Sequence, residues 1–273
     1  MTQATQNHKP YYFSAVHLLS KQFKNVDYNT YYCYSNVFRN IWVEFLRTRI
    51  IERKIIQVSD KLAVTLWNFK GGVGKSTIAL LLAEMAVQHG LKVLAVDLDE
   101  QQNLAQTLKL AEPLFPALEV RSFFDAAFAD ENFDMFIIDT HPAKDDTIKT
   151  AVAFADLVLI PVLADYTSII TLRSAIDYVT STGIGREQVA IVKNSMTKLR
   201  LSAEVVSVLD SQGYYSVGSL PRSNILTRNI ASGTSWDKSM PMRQRKPFWE
   251  LYDRIWRAYA QMKSGNFCNL WEA

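Results

Sequence analysis

The stretch NFKGGVGKST, residues 68–77, decides the fold of this chain. It follows a short apolar run at 62–67, LAVTLW, which predicts a buried strand, and it leads into a helical pattern at 77–89. Its glycines allow a sharp turn in which successive backbone N–H groups point at phosphate oxygens. The helix that follows adds the positive end of its dipole. This order of strand, glycine-rich turn and helix predicts a phosphate-binding loop.

Two polar side chains at the end of this loop suit the same chemistry. Lys75 can reach the β- and γ-phosphates of a nucleotide, and the Ser76 hydroxyl is placed to bind Mg²⁺. The general pattern G-x-x-x-x-G-K-[ST] is altered at its first position, where Phe69 replaces glycine. A second lysine, Lys70, precedes the glycines. The sequence therefore predicts a nucleotide site with an additional cation.

Short apolar runs alternate with longer amphipathic stretches after residue 61. Further strands are predicted at 92–99, 133–139, 157–162 and 188–194, and further helices at 144–155, 167–180, 199–212 and 247–262. This alternation predicts an α/β protein whose doubly wound, mostly parallel sheet carries helices on both faces. Combined with the phosphate-binding loop, it predicts the P-loop NTPase fold.

Residues 1–60 differ from the rest, because they are rich in aromatic side chains and contain no glycine. We predict a short helical N-terminal extension at 1–60, a P-loop ATPase domain at 61–263 and a C-terminal tail at 264–273. The middle of the chain is acidic and both ends are basic. This asymmetry favours a polyanion-binding surface built from the ends.

Composition excludes several classes of protein. The chain has 273 residues, of which 48% are hydrophobic and 21% charged, so it is not a disordered or low-complexity chain. Its longest apolar run, 157–164, is far shorter than the roughly 20 residues that span a bilayer. Two cysteines, Cys33 and Cys268, make neither a disulfide framework nor a metal cluster. We expect a cytoplasmic protein.

The form K-G-G-x-G-K-[ST] resembles the deviant Walker A loop of the ParA/MinD family of dimerising ATPases. The resemblance covers about residues 61–260 and is strongest to the ParA-type plasmid and chromosome partition ATPases. It implies that ATP and Mg²⁺ are the cofactors and that Lys70 crosses a dimer interface to the partner's nucleotide. It also implies that Asn194 and Pro221 contact the adenine. The nucleotide-binding residues are then Lys70, Gly71, Gly72, Val73, Gly74, Lys75, Ser76, Thr77, Asn194 and Pro221.

Two carboxylate segments match the same family. The segment VDLDEQQN at 96–103 resembles D-x-D-P-Q-x-N, whose final x is glycine in the family, with Glu100 in place of the proline and Gln102 in place of that glycine. The resemblance makes Asp97 part of the Mg²⁺ shell and Asp99 the residue that positions or activates the attacking water. The segment FIIDTHPA at 136–143 resembles the end of the Walker B strand, so Asp139 joins Asp97 and Ser76 at the metal. The predicted catalytic residues are Lys70, Lys75 and Asp99.

The resemblance implies a weak ATPase that forms a homodimer on binding ATP, binds DNA without sequence preference and associates with the nucleoid. A ParB-like centromere-binding or adaptor protein would stimulate hydrolysis and release the dimer. Such DNA contacts are mostly with phosphates. The candidate DNA-binding cations are Arg222, Arg228, Arg243, Arg245, Lys246, Arg254 and Arg257, of which Arg222 and Arg228 flank a further predicted helix.

Three alternatives remain at the level of sequence. The basic, amphipathic stretch at 247–262, with Trp249 and Trp256, could bind a membrane reversibly as in MinD-like proteins. The same DNA-based cycle could position a protein cargo instead of a plasmid. A small-molecule kinase is the third, but it has little use for a lysine aimed across a dimer. An iron–sulfur relative is excluded, because no cysteine follows either carboxylate strand.

Overall fold

The computed structural model describes residues 61–264 apart from 112–114, 126, 128–130, 233 and 237–239. The predicted extension at 1–60 lies outside the described residues, and so does the predicted tail beyond Ser264.

Seven strands form one sheet in the described part of the chain. They are β1 (Leu62–Leu66), β2 (Val93–Asp97), β3 (Leu118–Arg121), β4 (Met135–Asp139), β5 (Leu157–Val162), β6 (Val189–Met196) and β7 (Ser216–Pro221). Their order is β3-β2-β4-β1-β5-β6-β7. Every neighbouring pair among them is parallel, which confirms the predicted parallel sheet.

Helices connect the strands in the alternation that the sequence predicts. They are α1 (Lys75–Gln88), α2 (Asn103–Ala111), α3 (Asp146–Phe154), α4 (Tyr166–Ser181), α5 (Arg200–Ser211), α6 (Asn224–Ala231) and α7 (Met242–Lys263). Strands β3 and β7 and helix α2 had no counterpart among the predicted elements. Both strands lie at the edges of the sheet and are only partly buried, so they lack the continuous apolar runs of the central strands.

The core forms because the central strands are covered on both faces. All residues of β1, β2, β4 and β5 are buried. Alternate residues of β5, such as Val158, Ile160 and Val162, pack in one cluster with residues of α3, α4 and α5. Helix α1 packs on β1, β2 and β4 and also contacts α7. No described residue of α1 or α7 belongs to that cluster, so helices lie on both faces of the sheet.

Helix α7 begins five residues earlier than the predicted stretch, and Pro247 therefore lies inside it. The apolar face that the pattern predicts, which consists of Phe248, Leu251, Tyr252, Ile255, Trp256 and Tyr259, is buried. Leu251 packs directly on β7, because a Cβ at Gly218 would lie in ordinary van der Waals contact with its side chain, at 3.5 Å. The apolar face of α7 thus covers the edge of the sheet. Within the described residues, no helix has the length and apolar character needed to cross a membrane.

A buried carboxylate joins α1 to the segment between α6 and α7. The Glu84 side chain, in the middle of α1, accepts hydrogen bonds from the Ser235 hydroxyl at 3.1 Å and from the Trp236 backbone N–H at 3.0 Å. Because Glu84 and Ser235 are both buried, this link fixes the chain that leads from α6 into α7.

Candidate nucleotide-binding site

The candidate site lies at the carboxyl edge of the sheet, where three neighbouring strands end together. The register pairs Leu66 with Asp139 and Asp97 with Asp139 across β1, β4 and β2. The loop after β1 therefore emerges beside two carboxylates. Open parallel sheets bind ligands at this edge.

The phosphate-binding loop has the backbone that its glycines permit. Gly72 and Gly74 have φ angles of 71° and 95°, in the left-handed region that favours glycine. A Cβ at Gly74 would also lie 2.2 Å from the Asn194 amide nitrogen, so a larger residue there would displace the Asn194 side chain. Helix α1 begins at the next residue, Lys75. The N–H groups of its first turn point into the cleft in front of the loop.

That cleft has a volume of about 600 Å³. Its lining includes six of the ten predicted nucleotide-binding residues together with Asp99, and it also includes side chains that the motif comparison did not single out. The lining residues are Gly71, Gly72, Gly74, Lys75, Ser76, Thr77, Leu80, Asp99, Gln101, Asn103, Leu104, Thr107 and Pro142. Thr107 lies on α2, which no sequence pattern predicted.

Lys75 is a buried cation in this cleft, with only 7% of its surface exposed. Burial lowers the pKa of its ammonium group, although the Asp139 and Asp99 carboxylates oppose that shift. A phosphate group bound in the cleft would give the Lys75 ammonium a further negatively charged partner. The predicted contact of Lys75 with nucleotide phosphates remains a prediction.

Asp139 is fully buried, and neither of its carboxylate oxygens has a hydrogen-bond partner of good geometry. Burial raises its pKa to about 7, while the nearby Ser76 hydroxyl acts in the opposite direction. Buried carboxylate oxygens without partners call for an ion or a water. Hard oxygen ligands are those that Mg²⁺ prefers, so the pair Asp139 and Ser76 fits this cation.

No group of three or more His, Cys, Asp or Glu side chains forms a metal cage in the described part of the chain.

Asp97 has a structural task that the sequence comparison did not reveal. Its two carboxylate oxygens accept hydrogen bonds from the backbone N–H groups of Asp99, at 3.1 Å, and Ala105, at 2.8 Å. It therefore holds the loop after β2 and the first turn of α2. Burial raises its pKa, and these backbone hydrogen bonds act to lower it. The predicted place of Asp97 in the Mg²⁺ shell remains a prediction.

The loop from Asp99 to Gln102 is a tight turn. The Asp99 carboxylate accepts the Gln101 N–H at 3.0 Å, and its carbonyl accepts the Gln102 N–H at 2.8 Å. Gln102 has a φ angle of 49°, which explains why the family pattern has glycine at this position. The chain thus adopts the turn with a residue that is disfavoured there.

Lys70 does not line the phosphate cleft. Its Nζ lies 2.8 Å from both carboxylate oxygens of Asp165 and 3.1 Å from the Ser168 hydroxyl. Asp165 also caps α4 by accepting the Ser168 N–H at 2.7 Å. Burial alone would raise the pKa of Asp165, but the hydrogen bonds from Lys70 and Ser168 hold it below its ordinary value. Neither Asp165 nor Ser168 was a predicted site residue.

The two candidate adenine contacts lie in different places. Asn194 lies against the phosphate-binding loop, donating a hydrogen bond to the Val73 carbonyl at 2.8 Å. The next residue, Ser195, has a φ angle of 57° within the irregular end of β6. Pro221 instead lines a separate cleft of about 700 Å³, together with Arg222 and other residues. The structure therefore brings Asn194, but not Pro221, to the phosphate-binding loop.

The predicted DNA-binding cations fall into two groups. Arg245 donates to the Met240 carbonyl at 2.7 Å, Lys246 lies 3.5 Å from Glu250, and Arg257 lies 2.7 Å from Asp253. The exposed cations without an ion pair to a described residue are Arg222, Arg228 and Arg254. The side chain of Arg243 lies outside the described residues.

Comparison with known proteins supports one family. Residues 64–236, more than half of the chain, match the CobQ/CobB/MinD/ParA nucleotide binding domain. The chain is 31% identical over 137 residues to the chromosome-partitioning ATPase Soj of Thermus thermophilus. That match covers 38% of this chain and 55% of the relative, so it extends over little more than half of the relative's length.

Two solved structures share the fold. A Borrelia burgdorferi B31 protein assigned to plasmid partition and bound to AMPPNP has a TM-score of 0.60 at 20% identity, over 72% of this chain and 99% of that one. The MinD cell division protein of Aquifex aeolicus has a TM-score of 0.60 at 19% identity, over 71% and 96% of the two chains.

The domain match includes the whole phosphate-binding loop, both carboxylate strands and Asn194. It agrees with the seven-stranded parallel sheet and with the P-loop NTPase architecture of the structural neighbours. The chain therefore belongs to the CobQ/CobB/MinD/ParA family of nucleotide-binding proteins.

Proposed function

We propose that this protein is a ParA-like ATPase that dimerises on binding ATP, binds DNA without sequence preference and thereby partitions a plasmid, a chromosome or another cargo. The observation that carries the proposal is the placement of the two lysines of the loop. Lys75 lies inside the phosphate cleft, whereas Lys70 lies outside it on Asp165. Because Lys70 does not line the cleft of its own subunit, its ammonium group is available to contact the nucleotide of a second subunit.

The nucleotide chemistry follows from the residues at the carboxyl edge. Backbone N–H groups of the loop and the Lys75 ammonium bind and orient the phosphates. Ser76 and Asp139, with Asp97, would hold Mg²⁺, which neutralises developing phosphate charge when bound. The Asp99 carboxylate, which lines the cleft, orients the attacking water. Hydrolysis would be slow until the second subunit supplies Lys70, because that cation stabilises charge in the transition state.

Exposed apolar side chains beside Lys70 support a second copy as the neighbour. Tyr166 and Ile170, in the first two turns of α4, are 54% and 76% exposed. Tyr166 directly follows Asp165, which holds Lys70, and Ile170 lies about one helical turn further along. A subunit that receives Lys70 at its own phosphate cleft would have to approach this end of α4, and it would bury both side chains.

The burial of α7 favours DNA over a membrane as the surface to which the dimer binds. Reversible membrane binding needs a free apolar helix face. In α7 the predicted apolar stripe, including Phe248, Leu251 and Ile255, is buried in the fold. Exposed arginines near α6 and on α7 can instead contact phosphates. A ParB-like partner that stimulates hydrolysis, and a location on the nucleoid, complete the proposed cycle.

The test is binding to random-sequence duplex DNA without nucleotide, with ADP–Mg²⁺ and with ATP–Mg²⁺, each across a salt series. We expect binding only with ATP, and we expect it to weaken steeply with salt because phosphate contacts release counterions. Lys75→Ala is the control and should lose both ATP binding and DNA binding. A protein that binds ATP but shows no ATP-dependent DNA binding would contradict the proposal, and anionic vesicles would then be tested.

A further inference from the structure

Phe69, the residue that replaces the first glycine of the phosphate-binding pattern, belongs to a group of three aromatic side chains. Its ring centroid lies 5.8 Å from that of Trp67, and the Trp67 ring lies 4.5 Å from the ring of Tyr178 on α4. Trp67 is fully buried, and the other two rings pack on the same core cluster. The phosphate-binding loop is therefore anchored on one side by aromatic packing that a glycine could not provide.

A lysine from another loop lies against this group. The Lys144 ammonium is 5.3 Å from the centroid of Phe69 and 5.1 Å from that of Tyr178, both within the range of cation–π attraction. Lys144 lies in the loop 140–145, which directly follows Asp139. The same loop also accepts a hydrogen bond at the Ala143 carbonyl from the Trp67 indole N–H, at 3.3 Å.

The rest of loop 140–145 is ordered by local contacts. His141 lies 3.1 Å from the Asp145 carboxylate through Nε2, and its Nδ1 accepts the Ala143 N–H at 3.3 Å. Asp145 in turn caps α3 by accepting the Ile148 N–H at 2.9 Å. These contacts make the loop a compact unit, so a tether at one point positions the whole of it.

The position of this unit matters for the nucleotide cleft, because Pro142 forms part of the cleft wall. We propose that Lys144 is a positioning residue: by lying between the rings of Phe69 and Tyr178, it ties loop 140–145 to the phosphate-binding loop and holds Pro142 at the cleft. The proposal rests on the proposed function only in that this cleft binds a nucleotide. It requires neither a dimer nor DNA.

The contacts that Lys144 makes with the rings of Phe69 and Tyr178 are weak ones. Lys144 is exposed, so water competes with the rings for its ammonium group. Each cation–π contact at such a site is weak. They add to two hydrogen bonds that hold the same loop at other points, from the Trp67 indole to the Ala143 carbonyl and from the Thr140 hydroxyl to the Leu66 carbonyl at 2.8 Å.

The first test uses Lys144→Met, which keeps the length of the side chain and removes its charge, and Lys144→Arg, which keeps a cation that stacks on aromatic rings. Lys149→Met, on the exposed surface of α3, is the matched control. Hydrogen exchange of peptides spanning residues 140–147 is measured by mass spectrometry in the nucleotide-free protein. We expect Lys144→Met to accelerate exchange roughly three- to tenfold. Lys144→Arg and Lys149→Met should match the original protein.

The second measurement is the affinity of the same variants for a non-hydrolysable ATP analogue. Lys144→Met should weaken it by a similar factor, with an almost unchanged midpoint of thermal unfolding. Phe69→Leu keeps an apolar side chain without a ring face, and we expect it to have the same two effects. In the double variant, Phe69→Leu should add little to the effect of Lys144→Met, because both substitutions remove the same contact between Lys144 and Phe69.

Two results would overturn the proposal. One is loop exchange in Lys144→Met that equals that of Lys149→Met. The other is an arginine variant that behaves like the methionine variant, since the ring-stacked cation would then not be what holds the loop. Failure of ATP-dependent DNA binding would leave these measurements unaffected, so the two proposals fail separately.

Discussion

Two charged regions of this molecule are built in opposite ways. The phosphate edge, formed by Lys75, Asp97 and Asp139, consists of buried charges, and neither carboxylate oxygen of Asp139 has a hydrogen-bond partner. The exposed arginines Arg222, Arg228 and Arg254, called here the basic surface, carry charges that water already solvates. Without a ligand, the charges at the edge stay poorly compensated, whereas the charges on the surface are compensated by water. Changes at the edge should therefore have the larger effects.

The largest effect is expected for Asp139→Asn on stability. A carboxyl group whose pKa rises from 3.8 to about 7 on folding corresponds to about 4 kcal/mol of unfavourable free energy when ionised. Because the folded pKa is raised, this cost grows as the pH increases from about 4 to 7 and is constant above. The nucleotide-free variant should thus be more stable than the original protein at pH 8 and similar at pH 4.

Urea unfolding at both pH values, without nucleotide or Mg²⁺, measures this difference. Asp134→Asn, an exposed carboxylate just before β4, is the control and should show a much smaller change. Equal stability of Asp139→Asn and the original protein at pH 8 would mean that the buried carboxylate is compensated, and the contrast between the two regions would lose its basis.

The next effect concerns Lys70. It resembles the basic surface in being partly exposed, and it resembles the phosphate edge in having a fixed charged partner, Asp165. Lys70→Ala should leave ATP binding by the monomer within about threefold and weaken ATP-dependent dimerisation roughly tenfold or more, since it removes a charge-assisted contact. Sedimentation of the protein with ATP–Mg²⁺ gives the dimer fraction. The counterpart Asp165→Asn releases Lys70 and should favour the dimer, and a normal dimer of Lys70→Ala would refute the role.

The basic surface should respond in small, similar steps. Substituting Arg222, Arg228 or Arg254 by alanine should each weaken DNA binding modestly and reduce the slope of log affinity against log salt by about 1. Arg257→Ala, in which the lost side chain was already paired with Asp253, is the matched comparison and should change the slope less. Equal slopes for all four variants would show that ion pairing within the fold does not select the DNA contacts.

The smallest effect is expected in the turn between β2 and α2, where the substitution changes no charge. Gln102 has a left-handed conformation that costs a non-glycine residue about 1 kcal/mol, so Gln102→Gly should stabilise the protein by up to that amount. Thermal unfolding would then shift upwards by roughly 2–4 °C. Gln101→Gly, one residue earlier and without a positive φ, should destabilise instead.

The sequence predicted the parts of the fold that depend on local pattern. The loop NFKGGVGKST and the buried runs of β2, β4, β5 and β6 each carry their own signal, because a strand covered on both faces must be apolar throughout. The edge strands β3 and β7 carry no such signal, since half of their residues face solvent. Helix α2 was missed because its first turn is held by Asp97, a residue six positions upstream of the helix.

Contacts between distant residues explain what the sequence could not predict at the site. Asp165 is 95 residues from Lys70, and nothing in the local pattern of α4 indicates that its cap also binds a lysine. The shifted pKa of Asp139 depends on how completely the fold buries it. The sequence also did not predict the ring contacts of Phe69, although it showed that Phe69 replaces the first glycine of the pattern.

The buried link from Glu84 has a thermodynamic consequence. Helix α1 begins at the phosphate-binding loop with Lys75, and through Glu84 it holds the chain between the arginines near α6 and those of α7. One rigid element thus touches both the proposed nucleotide site and the frame of the proposed DNA surface. If ATP increases affinity for DNA, DNA must increase affinity for ATP by the same factor. A dimer bound to DNA would then bind its nucleotide more tightly than a dimer free in solution.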